Sequence, residues 1–166
     1  MDALLAYWPQ QLSVILTTAY AMALGGVIGW ERELKDRPAG FRTHMLVAGA
    51  AALLVGLGDL LAVHFSAEDY RELVRVDPIR LIEAVVAAVG FLGAGAIFRR
   101  SGGNSVSGLT TAASLLMVAA IGIAAGLRSY VLALGATLLT LAVLLVLSWL
   151  ERRMGTRKEE DAERRD

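Results

Sequence analysis

The densest set of chemically capable side chains in this sequence runs from residue 31 to 44: Glu31, Arg32, Glu33, Lys35, Asp36, Arg37, Arg42, Thr43 and His44. Hard divalent cations such as Mg2+ take oxygen ligands, commonly one or two carboxylates with several waters kept. Glu31, Glu33 and Asp36 could supply such ligands, and Glu83 is a further candidate. Four basic residues interleave with the acids, so the cluster can instead satisfy itself by ion pairing or meet lipid headgroups. A second polar segment, Arg99 to Gly108, is short, rich in glycine and serine, and precedes a helix N-terminus, a geometry that can hold an anion. It lacks the Gly-Lys-Ser/Thr ending of a P-loop.

Two more acids, Asp59 and Glu83, fall within apolar runs. An ionisable group at the centre of a bilayer costs about 2.5–3.5 kcal/mol on insertion scales and usually marks function. Arg80, at i−3, offers Glu83 a partner, whereas Asp59 has none nearby in sequence. The chain has no cysteine, which excludes disulfides, thiolate nucleophiles and iron–sulfur ligation. Its two histidines, His44 and His64, cannot make a multi-histidine zinc site in one chain. There is no HExxH, no GxSxG and no pair of intramembrane aspartates, and the adjacent Thr43 and His44 do not face each other on a helix. No enzyme is expected.

The elements that must position these groups follow from composition. Apolar residues make up 56% of the chain and charged residues 19%, against about 45–50% and 25% in soluble domains. The excess is concentrated, since residues 101–127 and 129–150 carry no charge at all. Such runs match the roughly 20 residues a helix needs to cross hydrocarbon. Backbone polar groups in lipid must be satisfied within their own segment, and the period-2 pattern of a barrel is absent, so helices are the solution. The sequence predicts an all-α polytopic membrane bundle, with spans at 11–30, 43–65, 79–98, 108–127 and 129–150. Thr43 and Asp77-Pro78 read as starts of the second and third, and Ser107-Gly108 opens the fourth. The transmembrane domain is residues 1–150, followed by a charged tail, 151–166, expected to be a solvated helical extension. Ser66, Asp69, Tyr70, Leu73 and Val74 suggest a short surface helix in the connection 66–78. The N-terminus has no basic start, so the first span is expected to be kept rather than cleaved as a leader.

With the N-terminus outside and the C-terminus inside, twelve of the sixteen basic residues fall on the inner side. Sixteen acids balance them, so no global field draws in nucleic acid. In lipid, helices associate through small residues that let backbones approach. Gly25 and Gly29 supply these on the first helix, Ala48, Ala52 and Gly56 on the second, Gly90, Gly93, Ala94 and Gly95 on the third, and Gly122 and Gly126 on the fourth. The fifth is bulky with leucine all round and should face lipid. A weak internal repeat is visible. Gly25 to Gly29, a charged loop, then Gly40-Phe41-Arg42-Thr43 form one unit, and Gly90 to Gly93, Arg99-Arg100, then Gly108-Leu109-Thr110-Thr111 form the other. Both units enter from the same side, so the repeat is parallel. Sites of transporters commonly lie at such repeat interfaces.

Four blocks in order, Gly25-Gly-Val-Ile-Gly-Trp-Glu-Arg-Glu33, Arg37-Pro-Ala-Gly-Phe-Arg-Thr-His44, Gly90-Phe-Leu-Gly-Ala-Gly95 and Val106-Ser-Gly-Leu-Thr-Thr-Ala-Ala113, closely resemble the signature of the MgtC/SapB family of bacterial inner-membrane proteins. The resemblance implies a multi-pass protein linked to magnesium homeostasis, low-magnesium growth and, in pathogens, survival in host cells. In the best-known members it implies control of the membrane ATP synthase rather than magnesium transport as such. It marks Glu31, Arg32, Glu33, Arg37, Gly40, Arg42, Thr43, Gly90, Gly93, Gly95, Gly108, Thr110 and Thr111 as the functional core. Longer relatives carry a soluble C-terminal domain where this sequence has Glu151 to Asp166. Two readings follow. One is a non-enzymatic regulator of other membrane proteins. The other is a transporter or channel for Mg2+ or another cation, which five short spans would have to build as a homo-oligomer.

Overall fold

A computed structural model describes residues 2–64, 77–99 and 106–163. Among the described residues the elements are helices joined by short connections, with one minimal hairpin: α1 (Asp2–Glu33), α2 (Phe41–His64), α3 (Pro78–Ala96), β1 (Phe98–Arg99), β2 (Val106–Ser107), α4 (Leu109–Gly126) and α5 (Tyr130–Glu163). All five helices contain a segment long and apolar enough to cross a membrane, from 18 residues in α4 to 26 in α1. At 1.5 Å per residue these are about 27 to 39 Å long, which matches the hydrocarbon thickness.

Several boundaries differ from those the sequence suggests. α1 runs from Asp2 rather than residue 11 and carries Pro9 within it. α2 begins at Phe41, not Thr43, because the Glu33 carboxylate accepts the Phe41 N–H at 2.7 Å and satisfies one of the orphan amides of its first turn. Thr43 lies exposed inside the helix. α3 starts as expected, with Asp77 Oδ1 accepting the Ile79 N–H at 3.0 Å and Pro78 in the first turn. It stops at Ala96 instead of 98, since Phe98 and Arg99 pair with Ser107 and Val106 in the antiparallel hairpin. Two tight connections end in left-handed residues. Asp36 (φ 51) follows α1 and Arg128 (φ 60) follows α4. In each the next N–H reaches back five residues, Arg37 to Arg32 O at 3.1 Å and Ser129 to Ala124 O at 2.9 Å, closing a Schellman turn without glycine. α5 carries the tail as helix to Glu163. The surface helix expected within 66–78 and most of the 99–108 loop lie outside the described residues.

α4 is the centre of the bundle, with 56% of its span buried against 17% for α3 and for α5. One apolar cluster joins Ala21, Leu24 and Ile28 of α1 to Ala48, Ala52, Val118, Ile121 and Leu144. A second joins Val47, Ala51 and Val55 of α2 to Val85, Val89, Leu115, Ala119 and Ile123. Polar contacts tie both ends. Tyr20 packs edge-on to Tyr130 at 5.5 Å and donates to its backbone carbonyl at one end. The other end holds loop 34–40, the hairpin and most of the basic residues.

Glycine sets how closely the helices approach. A Cβ on Gly29 would lie 2.9 Å from His44 Cβ, and one on Gly93 would lie 3.3 Å from Ala112 Cβ. His44 and Ala112 stand four residues after Gly40 and Gly108, so α1–α2 and α3–α4 are built alike, as the repeat implies. Not every glycine packs. Gly90 and Gly95 of α3 face outward, with nothing within 4 Å of a Cβ built there, and Ala94 is exposed too. Gly in a helix interior costs about 0.5–1 kcal/mol relative to Ala. Gly90→Ala and Gly95→Ala are therefore each expected to raise stability by about that amount, read as a higher thermal midpoint in detergent. A lower midpoint would mean that a neighbour occupies this face.

Candidate functional site

The last turn of α1 carries charge into the packed end of the bundle. Glu31 and Arg32 are buried, at 7% and 3% exposure, on a helix that carries no charge in the five turns before them. One carboxylate cannot stay buried and charged without partners. Glu31 has two: Arg32 Nε donates to Oε2 at 2.5 Å, and the Lys35 ammonium pairs with Oε1. Lys35 in turn donates to Ser148 Oγ at 2.6 Å and reaches the Leu144 carbonyl at 3.3 Å, tying α1 to α5.

His44, wholly buried on α2, joins the two repeat units. Its Nδ1 lies 2.9 Å from the Gly40 carbonyl and its Nε2 3.0 Å from Ser114 Oγ on α4, which is itself 2.8 Å from the Thr111 carbonyl. A carbonyl only accepts, so Nδ1 carries a proton. In the neutral ring the hydroxyl of Ser114 has one hydrogen to share between Nε2 and the Thr111 carbonyl. Beside Thr43 in sequence, His44 shows no role. The informative neighbour was Gly40, at i−4.

The residues marked from the sequence divide accordingly. Glu31, Arg32 and Thr111 are buried at the end of the bundle that holds loop 34–40. Glu33 caps α2, and Gly40 lies against its carboxylate, where a Cβ would stand 2.7 Å from Oε2. Gly108 is the N-cap of α4 with φ 95, and a Cβ there would run into the Ala96 carbonyl. Arg37, Arg42, Thr43 and Thr110 are exposed. Asp59 and Glu83 are exposed on α2 and α3. Arg80 pairs with Asp77 at 3.7 Å, not with Glu83. The four metal candidates Glu31, Glu33, Asp36 and Glu83 do not converge. Among the described residues no group of three or more His, Asp or Glu could hold a metal ion.

The sequence has counterparts among known proteins. The model of the MgtC family matches residues 18–153, most of the chain. The chain belongs to the MgtC family. SapB of Bacillus subtilis is 36% identical over 152 residues, covering 92% of this chain and 64% of that protein. MgtC of Salmonella typhimurium is 39% identical over 133 residues, covering 80% and 52%. YhiD of Escherichia coli K12, named as a candidate magnesium transporter, is 37% identical over 134 residues, covering 78% and 58%. The chain thus spans between about half and two thirds of the length of these curated relatives. No solved structure matches. With five membrane-length helices, this MgtC-family chain is a multi-pass membrane protein.

Proposed function

We propose that this MgtC-family chain serves magnesium homeostasis in the bacterial inner membrane, supporting growth at low magnesium as a non-enzymatic regulator that acts on other membrane proteins, the ATP synthase among them. The observation that carries the reading is the state of Glu31. The acid of the signature cluster that is buried is already held by two cations, Arg32 and Lys35. That makes the inner end of the bundle net positive, the wrong sign to attract Mg2+ into it. Lateral partners are accommodated instead by the loosely buried outer helices, where Ile79, Phe91, Val131 and Leu139 are among the exposed apolar side chains. The role in host-cell survival that the family resemblance carries would follow from the same regulation.

A second reading, a Mg2+ transporter assembled as a homo-oligomer, draws on Asp59 and Glu83, acids exposed on membrane-spanning helices where a pathway between protomers would need them. Proteoliposomes separate the two. The regulator predicts Mg2+ flux no greater than in empty vesicles, with another integral membrane complex co-purifying from mild detergent. Flux above empty vesicles that disappears in Glu83→Gln would overturn it in favour of transport.

A further inference from the structure

We propose that the cleft between the end of α1 and the start of α2 binds phosphatidylethanolamine, its ammonium held by Glu33 beside Trp30 and Phe41 and an acyl chain lying along the adjoining groove. This goes beyond the regulatory reading and does not depend on it. The cleft has two compartments that share Trp30 and Phe41. The first encloses about 200 Å3 and is lined by these two with Glu33 and Leu34. The second encloses about 250 Å3, and its further walls, Ala23, Gly26, Val27 and Met45, carry no charge. Glu33 closes the membrane-length segment of α1 and Phe41 opens that of α2, so the carboxylate stands at headgroup level. From Glu33 back to Ala23 the walls descend about 15 Å of helix into the apolar layer. The cleft therefore has the polarity of a lipid, charged at one end and apolar at the other. In hydrocarbon any lipid-facing groove fills with tails, so the second compartment alone chooses no lipid. The choice comes from the first.

Glu33 spends one oxygen on the fold, Oε2 accepting the Phe41 N–H at 2.7 Å. Among the described residues Oε1 has no hydrogen-bond partner and no cation pairs with the carboxylate. Trp30 and Phe41 stand edge to face with it, their centroids 6.0 Å apart and their planes at 84°, so the two rings form a corner in the same compartment. An ammonium is drawn both to an aromatic face within about 6 Å and to a carboxylate. Rings alone accept methylated and primary ammonium alike. The carboxylate discriminates, because a primary ammonium offers three N–H donors and a choline nitrogen offers none. Arg37 and Arg42, exposed at the same end, oppose a bare cation and suit a ligand that carries a phosphate next to its ammonium. Phosphatidylglycerol brings no cation for Glu33.

The test uses the full purified chain in mixed micelles of equimolar phosphatidylethanolamine and phosphatidylcholine with matched acyl chains, retained lipid being counted by native mass spectrometry. Wild type is expected to retain the ethanolamine lipid by about twofold to fivefold over the choline lipid, the scale of an exposed cation–π or carboxylate contact. Glu33→Gln keeps a carbonyl oxygen for the Phe41 N–H but removes the charge, and should bring the ratio near unity. Trp30→Leu leaves the cap of α2 in place and should lower the ratio, so it decides the matter if Glu33→Gln does not fold. Ala23→Trp fills the second compartment from an exposed position and should lower retention of both lipids. Equal retention by wild type overturns the proposal, as does an unchanged preference in either Glu33→Gln or Trp30→Leu. Unchanged retention in Ala23→Trp overturns the placement of the acyl chain. Release of phosphatidylethanolamine by excess ethanolamine would make the site one for a free amine and overturn the lipid assignment.

Discussion

Glu31→Gln is expected to destabilise the bundle by about 3–5 kcal/mol, the range found when one partner of a buried ion pair is removed. Glutamine keeps the shape and can accept one hydrogen bond. It leaves the Arg32 side chain, 4% exposed, and the Lys35 side chain, 19% exposed, as like charges with no counter-ion. The exposed Asp77–Arg80 pair, with side chains 46% and 84% exposed, offers the contrast, since such pairs contribute about 0–1 kcal/mol. Thermal or denaturant unfolding in detergent measures the loss, and adding Lys35→Met to Glu31→Gln should recover part of it. A loss below about 1 kcal/mol for Glu31→Gln would show that the carboxylate does not hold this end of the bundle together.

Gly122→Ala is the second large effect. A methyl there would press on the Ala48 carbonyl oxygen and lie 3.0 Å from the Ala48 carbonyl carbon and 2.9 Å from Ala51 Cβ. Backbone cannot turn aside, so α4 and α2 must separate, and the neighbouring contact of Gly126 with the Ala52 carbonyl opens with it. Overpacking of this kind costs about 1–3 kcal/mol and occasionally more. Gly49 provides the control. Its added Cβ would meet Met22 Cγ at 2.6 Å, part of a flexible side chain that can rotate away. Gly49→Ala should therefore cost clearly less than Gly122→Ala. An unfolding midpoint for Gly122→Ala at or above wild type would contradict the α2–α4 packing described above.

What the sequence disclosed was set by the range of the interaction involved. The five spans were legible because an uncharged run of membrane length is a local property, and the Asp77-Pro78 start is settled within three residues. The start of α2 was misplaced because its cap, Glu33, comes from the preceding helix, eight residues back. The glycines of α3 show another limit. Composition marks Gly90, Gly93 and Gly95 alike, yet only Gly93 is buried, since the rotation of α3 against α4 decides which side is covered. Glu31 with Lys35 at i+4 was readable as a helix pair. The link from His44 to Ser114, seventy residues apart, was not. The acids 31, 33 and 36 look like one cluster on paper. Folded, one is buried between two cations, one caps a helix and one turns the chain.

The glycine contacts among α1, α2 and α4 also bear on how this protein can move. Where Gly25, Gly29, Gly122 and Gly126 meet main-chain atoms of α2, no layer of side chains lies between to slide or re-rotamerise, so these three helices behave as one stiff block. α5 is fastened to that block near both ends of its membrane-length segment, by Tyr130 with Tyr20 and by Ser148 with Lys35. Any relative tilting therefore falls to α3, which among the described residues is joined to α4 through a hairpin of two residues per strand. A signal that reaches this bundle from a neighbour in the bilayer would be received by tilting α3.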